Sequence, residues 1–202
     1  DGTLGDGGHT ESILKNTGPK IRVLGIDRDL SAIERARERL QPFRDRVIFA
    51  HGSLENLRDL AEQSGVTKVN GLLLDFGVSS PQLDTPERGF SIRRDGPLDM
   101  RMDNTQTTTA ANLLEKLKDV ELISIIKNFG EERFAKRIVR AIRKEQEERS
   151  IVTTSHFAEI ISRVVRSPKH SRIHPATKTF QALRIAVNNE LEQIKTVLND
   201  AI

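Results

Sequence analysis

Ile21-Arg22-Val23-Leu24-Gly25-Ile26-Asp27 is a short apolar run that follows Pro19 and ends on an acid. A run of that length, bounded by turn residues, reads as a buried strand. Residues 47–50 (VIFA) form a second such run, and residues 71–76 (GLLLDF) a third, which predicts a strand buried on both faces. Helical patterns separate them. Residues 31–40 follow a cap at Asp29, and residues 54–63 stop near Gly65, a helix-ending glycine. Strand, helix, strand, helix, strand predicts a parallel α/β sheet.

Upstream of the first run lies Asp1-Gly2-Thr3-Leu4-Gly5-Asp6-Gly7-Gly8-His9-Thr10, a glycine-rich turn that enters an apolar helix containing Ile13 and Leu14. Glycines permit unusual backbone angles and close ligand approach, and a helix N-terminus offers N–H groups to a polar ligand. Asp27, twenty residues beyond Gly7, stands where a carboxylate accepts hydrogen bonds from a ribose diol. Capping the next helix is the competing role, and Asp29 suits that better. Together the loop and the acid indicate nucleoside binding. The pattern lacks the third glycine of G-x-G-x-x-G, which counts against a nicotinamide dinucleotide. In an open parallel sheet, ligands sit beyond the carboxyl ends of the strands, so residues 75–82 should face the cofactor.

The second half is helical. Leu113, Leu117, Val120, Ile123, Ile126 and Phe129 suit one helix or two short ones ending at Gly130. Phe134, Ile138 and Ile142 recur by four, and residues 157–165 follow the i, i+3, i+4, i+7, i+8 template before Pro168. Phe180, Leu183, Val187, Leu191, Ile194 and Leu198 predict one long final helix. The expected division is therefore residues 1–103 for the nucleotide-binding part, 104–175 for a helical insertion, and 176–202 for a helix returning to the sheet. The long loop from Leu83 to Asp103 carries little periodicity, which favours a functional role.

The 202 residues are 36% hydrophobic and 30% charged, as in a soluble globular protein. No apolar run is long enough to span a membrane, and no signal or transit peptide is visible. Absence of cysteine excludes disulfides and thiolate metal sites. No His, Asp or Glu cluster has metal-ligand spacing. The net charge of +3 is small, but residues 160–189 contain no acid and carry Arg163, Arg166, Lys169, Arg172, Lys178, Arg184, His170 and His174. Such a one-signed run attracts polyanions and points to nucleic acid. Residues 131–149 are also basic, but Glu131, Glu132, Glu145, Glu147 and Glu148 offset the charge, and a solvated helix face is expected there.

Six ordered motifs carry a resemblance: D-G-T-x-G-x-G-G-H at 1–9, D-x-G-V-S-S-P-Q-L-D at 75–84, E-R-G-F-S at 87–91, D-G-P-L-D-M-R-M-D at 95–103, G-E-E-R-F-A-K-R-I at 130–138, and H-P-A-T-x-T-F-Q-A-L-R-I at 174–185. Across almost the whole chain they resemble the bacterial small-subunit ribosomal RNA cytosine-N4 methyltransferase family, which has mitochondrial relatives. The resemblance implies a Rossmann-like class I methyltransferase sheet with an inserted all-helical domain, and S-adenosylmethionine as cofactor. By position it implies cofactor contacts at Gly7, Gly8, His9, Asp27, Leu54, Asp75 and Gln82, with Leu54 standing where relatives often carry Phe. His9 is expected to orient the backbone rather than act as a base. Asp75, or the Ser79/Ser80 pair, is expected to receive the hydrogen bond of the target amine. Arg88, Arg93, Arg94, Arg101, His174, Lys178 and Arg184 are expected to contact RNA, with Phe90 as packing anchor or base stack. Expected partners are small-subunit ribosomal RNA in a 30S-type particle and, as an open alternative, a second copy in a homodimer; no membrane partner is expected. The expected compartment is the cytoplasm, with the mitochondrial matrix as alternative.

The family continues with a Pro-Gly-Gly turn and a further strand, so the chain is expected to be a piece of a longer protein, lacking strand one and everything from strand five on. Two other functions compete: a non-catalytic RNA-binding or ribosome-assembly factor, and a nicotinamide-dependent oxidoreductase.

Overall fold

The structure is a computed structural model that describes residues 1–165 and 173–200. Its contacts divide the chain into two compact units, Asp1–Ser79 with the chain from Leu191 onward, and Ser80–Glu190. The boundaries expected at 103 and 175 both fall inside the second unit.

In the first unit the glycine turn leads into α1 (Gly8–Asn16), followed by β1 (Val23–Asp27), α2 (Leu30–Arg39), β2 (Val47–His51) and α3 (Leu57–Gln63). β1 and β2 pair in parallel, from Val23 opposite Val47 to Asp27 opposite His51. The carboxylate of Asp29 caps α2 by accepting from Ser31 N–H at 3.1 Å. A 3-10 turn at Leu54–Asn56 precedes α3, and Gly65, with φ +73°, follows its end. Leu4, Leu14, Val23, Ile33, Ala36, Leu40 and Val47 form the core between the helices and the sheet; each large apolar side chain so buried contributes about 1.5–3 kcal/mol. Arg46 ties α1 to β1, donating to Leu14 O, Gly18 O and Ile21 O.

The third run departs from expectation. Residues 71–76 form no strand ladder, and Leu72 and Phe76 remain 37% and 42% exposed rather than buried on both faces. A strand requires a row of backbone hydrogen bonds. The chain's first residues lie beside β1 through Ile26 N–H to Asp1 O and Leu4 N–H to Ile26 O, but among the described residues the one backbone–backbone bond they make to 71–76 is Gly2 N–H to Leu73 O, with Asp75 N–H going to the Thr3 side chain. Hydrophobicity marks the run, but pairing decides the strand.

The second unit holds α4 (Ser80–Asp84), the long loop, α5 (Ala110–Lys116), α6 (Asp119–Asn128), α7 (Ala135–Gln146), α8 (Thr154–Val164) and α9 (Thr177–Val187). The stretch 113–129 is thus two helices, α5 capped by Thr109 and Asn112 in a reciprocal box. The core includes Leu114, Leu122, Ile126, Ile138, Ile142, Phe157, Ile160 and Leu183, with the Phe157 and Phe180 rings 5.4 Å apart. The long loop is anchored by buried side chains and by backbone contacts. Phe90, Leu98, Met100 and Met102 are buried, Leu98 N–H donates to Val152 O, and Pro97 bridges to Thr153. Gly89 adopts φ +72°, and a Cβ there would stand 2.2 Å from Pro97 O, so no other residue fits the loop's return.

The expected single last helix is two, α9 and α10 (Glu190–Asp200). Asn189 takes φ +50°, a left-handed conformation that Asn tolerates, and the break resets the helical phase. Leu191 and Leu198 accordingly point outward, 41% and 53% exposed, off the stripe they were assigned.

At the end of α7, Glu145 accepts from His156 Nε2 at 2.8 Å, Arg149 Nε at 2.9 Å and Arg163 at 3.3 Å. The His156 hydrogen bond first, then that of Arg149, lowers its carboxyl from 4.5 to about 2. A depressed carboxyl stabilises the fold above its ordinary range, and that contribution disappears as pH falls from 4.5 through about 2. Glu145→Gln is expected to melt below the parent at neutral pH and to converge with it near the acid end of that window. An equal gap throughout a pH series of thermal melts would show that the ionised carboxyl does not tie α7 to α8.

Candidate active site

The site of the first unit is built where β1 ends. Asp27 lies at the last position of β1, and its Oδ2 accepts from Gly5 N–H at 2.8 Å while Oδ1 accepts from Asp29 N–H at 2.8 Å. One carboxylate therefore links the glycine turn to the loop that starts α2. Burial pushes the Asp27 carboxyl above its ordinary value, against the opposing pull of the Asp29 and Gly5 N–H groups. The carboxylate is thus held largely buried at the carboxyl end of a strand with a lone pair of each oxygen still available.

Gly7, with φ +78°, is the N-cap of α1 and brings no side chain to it. A Cβ there would lie 2.9 Å from Leu40 Cδ1, so both backbone angle and packing require glycine. The first N–H groups of α1, beginning with Gly8 and His9, consequently open away from any side-chain cap. Leu54 is 7% exposed and lies over Gly2, where a Cβ would meet it at 2.8 Å.

Asp75 is exposed; its backbone N–H donates to Thr3 Oγ1 at 2.6 Å, and its Oδ2 stands 3.9 Å from His9 Nδ1. His9 faces that acid and makes no hydrogen bond to the backbone among the described residues, so the backbone-orienting role expected for it is corrected. The turn is held instead by two residues that the motif reading passed over. Asp1 accepts from Thr3 N–H at 3.2 Å and from Thr10 Oγ1 at 2.8 Å, and Thr10 is fully buried. The signal was the polar pair Asp1 and Thr10 that brackets the glycine turn, a stretch read only for its glycines. Ser79 ends the first unit half-buried. Ser80 and Gln82 lie on α4 in the second unit, Gln82 6% exposed.

The cations expected to meet RNA divide. Arg88 donates to Arg101 O and Met102 O and lies over the ring of Phe90, which is a packing anchor at 6% exposure. Arg101 is bound to Asp99 at 2.7 Å and to the carbonyl oxygens of Asn104 and Gln106, and Arg184 to both oxygens of Glu190 at 2.8 and 3.0 Å. These three guanidinium groups hold the second unit together. Arg94 pairs with Asp84 at 3.2 Å on the surface, and Arg93 is exposed. His174 Nδ1 accepts from Ala176 N–H at 3.2 Å, and Lys178 donates to Glu131 O at 3.0 Å. Arg166, Lys169, His170 and Arg172 lie outside the described residues. Among the described residues no group of three or more His, Asp or Glu is placed to hold a metal, and no helix is long and apolar enough to cross a membrane.

A parallel strand–helix–strand unit with a glycine turn at a helix start and an acid ending the adjacent strand is an α/β arrangement able to hold a nucleoside. The profile of the MraW methylase family matches residues 1–202, and the chain belongs to that family. It is 52% identical over 196 residues to a protein of Trichlorobacter lovleyi named ribosomal RNA small subunit methyltransferase H, an alignment covering 96% of this chain and 63% of the relative. Proteins of the same name from Persephonella marina and Thermobifida fusca are 47% and 45% identical over all of this chain, covering 69% and 61% of their own lengths. The chain thus spans about two thirds of the length of the curated relatives it matches.

Proposed function

We propose that this chain forms the cofactor-binding unit and part of the RNA-binding unit of an S-adenosylmethionine-dependent methyltransferase, which modifies the exocyclic N4 of a cytosine in small-subunit ribosomal RNA. On this reading the two-stranded parallel sheet belongs to a Rossmann-like class I sheet, the substrate is a 30S-type particle, and the work is done in the cytoplasm. The observation that carries it is the Asp27 carboxylate, bonded to Gly5 N–H at 2.8 Å at the carboxyl end of β1.

The residues fit the cofactor. Each Asp27 oxygen takes one backbone N–H, and a carboxylate has about four lone-pair sites, which leaves acceptors for a ribose diol. Two such donors would offset the burial that disfavours its charge. The uncapped start of α1 suits the carboxylate of the amino-acid moiety. Bound there, S-adenosylmethionine supplies a methyl group on a sulfonium, an electrophile that needs only an aligned nucleophile.

Cytosine N4 is a weak nucleophile because its lone pair is delocalised into the ring, so orientation supplies most of the rate. The base must leave its stack to reach the site. Asp75 accepts the N4–H hydrogen bond, favours the positive charge that develops on nitrogen, and takes the proton at its carboxylate. The Thr3 hydroxyl fixes the Asp75 backbone, and His9 offers a second polar group beside it. Turnover by Asp75→Ala is expected to fall about 10²–10⁴-fold, measured as N4-methylcytidine formed on small-subunit RNA. A variant that binds cofactor normally and keeps full turnover would remove Asp75 from this role.

A further inference from the structure

We infer that the outward face of α7, with Arg133 just ahead of it, is a binding surface for the phosphate backbone of single-stranded ribosomal RNA. The inference rests on the RNA-modifying function proposed above and names where that RNA is held outside the methyl-transfer site.

By sequence this segment is nearly balanced in charge, and the structure separates the signs. At ~100° per residue, Lys136, Arg140, Lys144 and Arg137 fall within an arc of about 100°, and all four are exposed. The opposite arc holds Ala135, Ile138, Val139 and Ile142, all buried. None of these four cations, nor Arg133, pairs with a carboxylate among the described residues. Arg143 on the same helix differs, bound to Asp119 at 2.7 Å and to Leu114 O and Leu117 O. The acids thought to balance the segment are placed elsewhere. Glu132 is 5% exposed and turned onto Phe134 N–H at 2.8 Å. Glu145 faces His156, Arg149 and Arg163. Glu147 and Glu148 lie past the helix end, within about one turn of Lys144 but about 10 Å along the axis from Arg140. Glu131 alone stays exposed near the start, and its carbonyl draws in another cation, Lys178.

The cations are also held in place. Two guanidinium groups contact the Phe134 ring, Arg133 at 4.6 Å and Arg137 at 5.2 Å from its centre. Such stacking limits their rotamers and leaves their N–H edges for phosphate oxygens. The turn bearing Arg133 is pressed against α9, for a Cβ on Gly130 would sit 2.3 Å from Lys178 O. Four cations along ~12 Å of helix, with Arg133 as a fifth just ahead of them, form a dense stripe of one sign. A pre-ordered, one-signed stripe with guanidinium groups on an aromatic is the chemistry that follows a flexible phosphate chain.

The test replaces Arg133, Lys136, Arg137 and Arg140 by Gln together in the purified protein. Its binding to a fluorescent single-stranded oligoribonucleotide of small-subunit sequence is followed by anisotropy over a salt series, with S-adenosylmethionine titration as the control for folding. Losing four phosphate contacts is expected to flatten the slope of log affinity against log salt by roughly 3, at about 0.7 per contact, and to weaken low-salt binding at least ~10-fold. Cofactor binding should not change. Unaltered slope and affinity, in a parent that binds and methylates the RNA, would overturn the surface and leave the function standing. A parent that neither binds nor methylates RNA would overturn both, and a stripe that captures anionic vesicles but not RNA would refute the RNA assignment.

Discussion

Asp27→Ala is expected to weaken S-adenosylmethionine binding by two orders of magnitude or more. Hydrogen bonds to a charged acceptor contribute about 1.5–3 kcal/mol each, and every ~1.4 kcal/mol is tenfold in affinity, so loss of a ribose diol clamp exceeds ~100-fold. The same change strands Gly5 N–H and Asp29 N–H, which Asp27 now satisfies at 2.8 Å each, and the glycine turn loosens. Asp27→Asn separates the two effects. It keeps the shape and one acceptor, and it removes the charge that burial disfavours. A carboxyl raised above its unfolded value favours folding below that value, and the benefit is lost as pH rises through the raised one. At neutral pH Asp27→Asn should therefore cost less stability than Asp27→Ala while still binding poorly. Calorimetric titration beside thermal melts reads both quantities. Full affinity in Asp27→Asn would show that the charge does not hold the ligand.

The largest loss of stability is expected at Asn188. Its side chain is 1% exposed and fully engaged, with Nδ2 donating to Met100 O at 2.7 Å and Arg184 O at 2.8 Å, and Oδ1 accepting from Met102 N–H at 2.8 Å. Asn188→Ala leaves a buried donor and a buried acceptor of the long loop without partners, at about 1–3 kcal/mol each. The total, roughly 2–6 kcal/mol, corresponds to a fall in melting temperature of roughly 4–24 °C in a chain of this size. Denaturant unfolding should show the same loss. A change within ~0.5 kcal/mol, the range of ordinary surface substitutions, would mean that the loop is anchored by its apolar residues alone. Met100 itself has φ +64°, and that conformation is sustained only by such surrounding bonds.

Local signals were legible because they are local. Strands β1 and β2, the Asp29 cap and the stop at Gly65 each depend on neighbours within one turn or one strand. The carboxylate at Asp27 and the glycines at 7 and 8 were likewise readable, since the spacing from loop to acid reflects one strand–helix–strand unit. Residues 71–76 were misjudged because apolarity cannot tell whether a ladder forms. The final helix was read as continuous because its stripe runs through Asn188 and Asn189, and only Met100 and Met102, far away in sequence, explain why the chain turns there.

Charge was the least legible property. Lys and Arg were counted along the sequence, and a count cannot say which cation faces a carboxylate. Arg88, Arg101 and Arg184 looked available and are tied to carbonyls or acids of their own unit. Residues 131–149 looked neutral and carry an unpaired basic stripe. By itself the sequence determined the class of the protein, its family and the glycine turn that Asp27 closes, because those follow from motif chemistry and short-range spacing. Tertiary structure alone decided which strand is paired, where the last helix breaks and which cations are left without a carboxylate. Hydrogen-bond partners and ion pairs are made across the fold, between residues that have no relation in sequence.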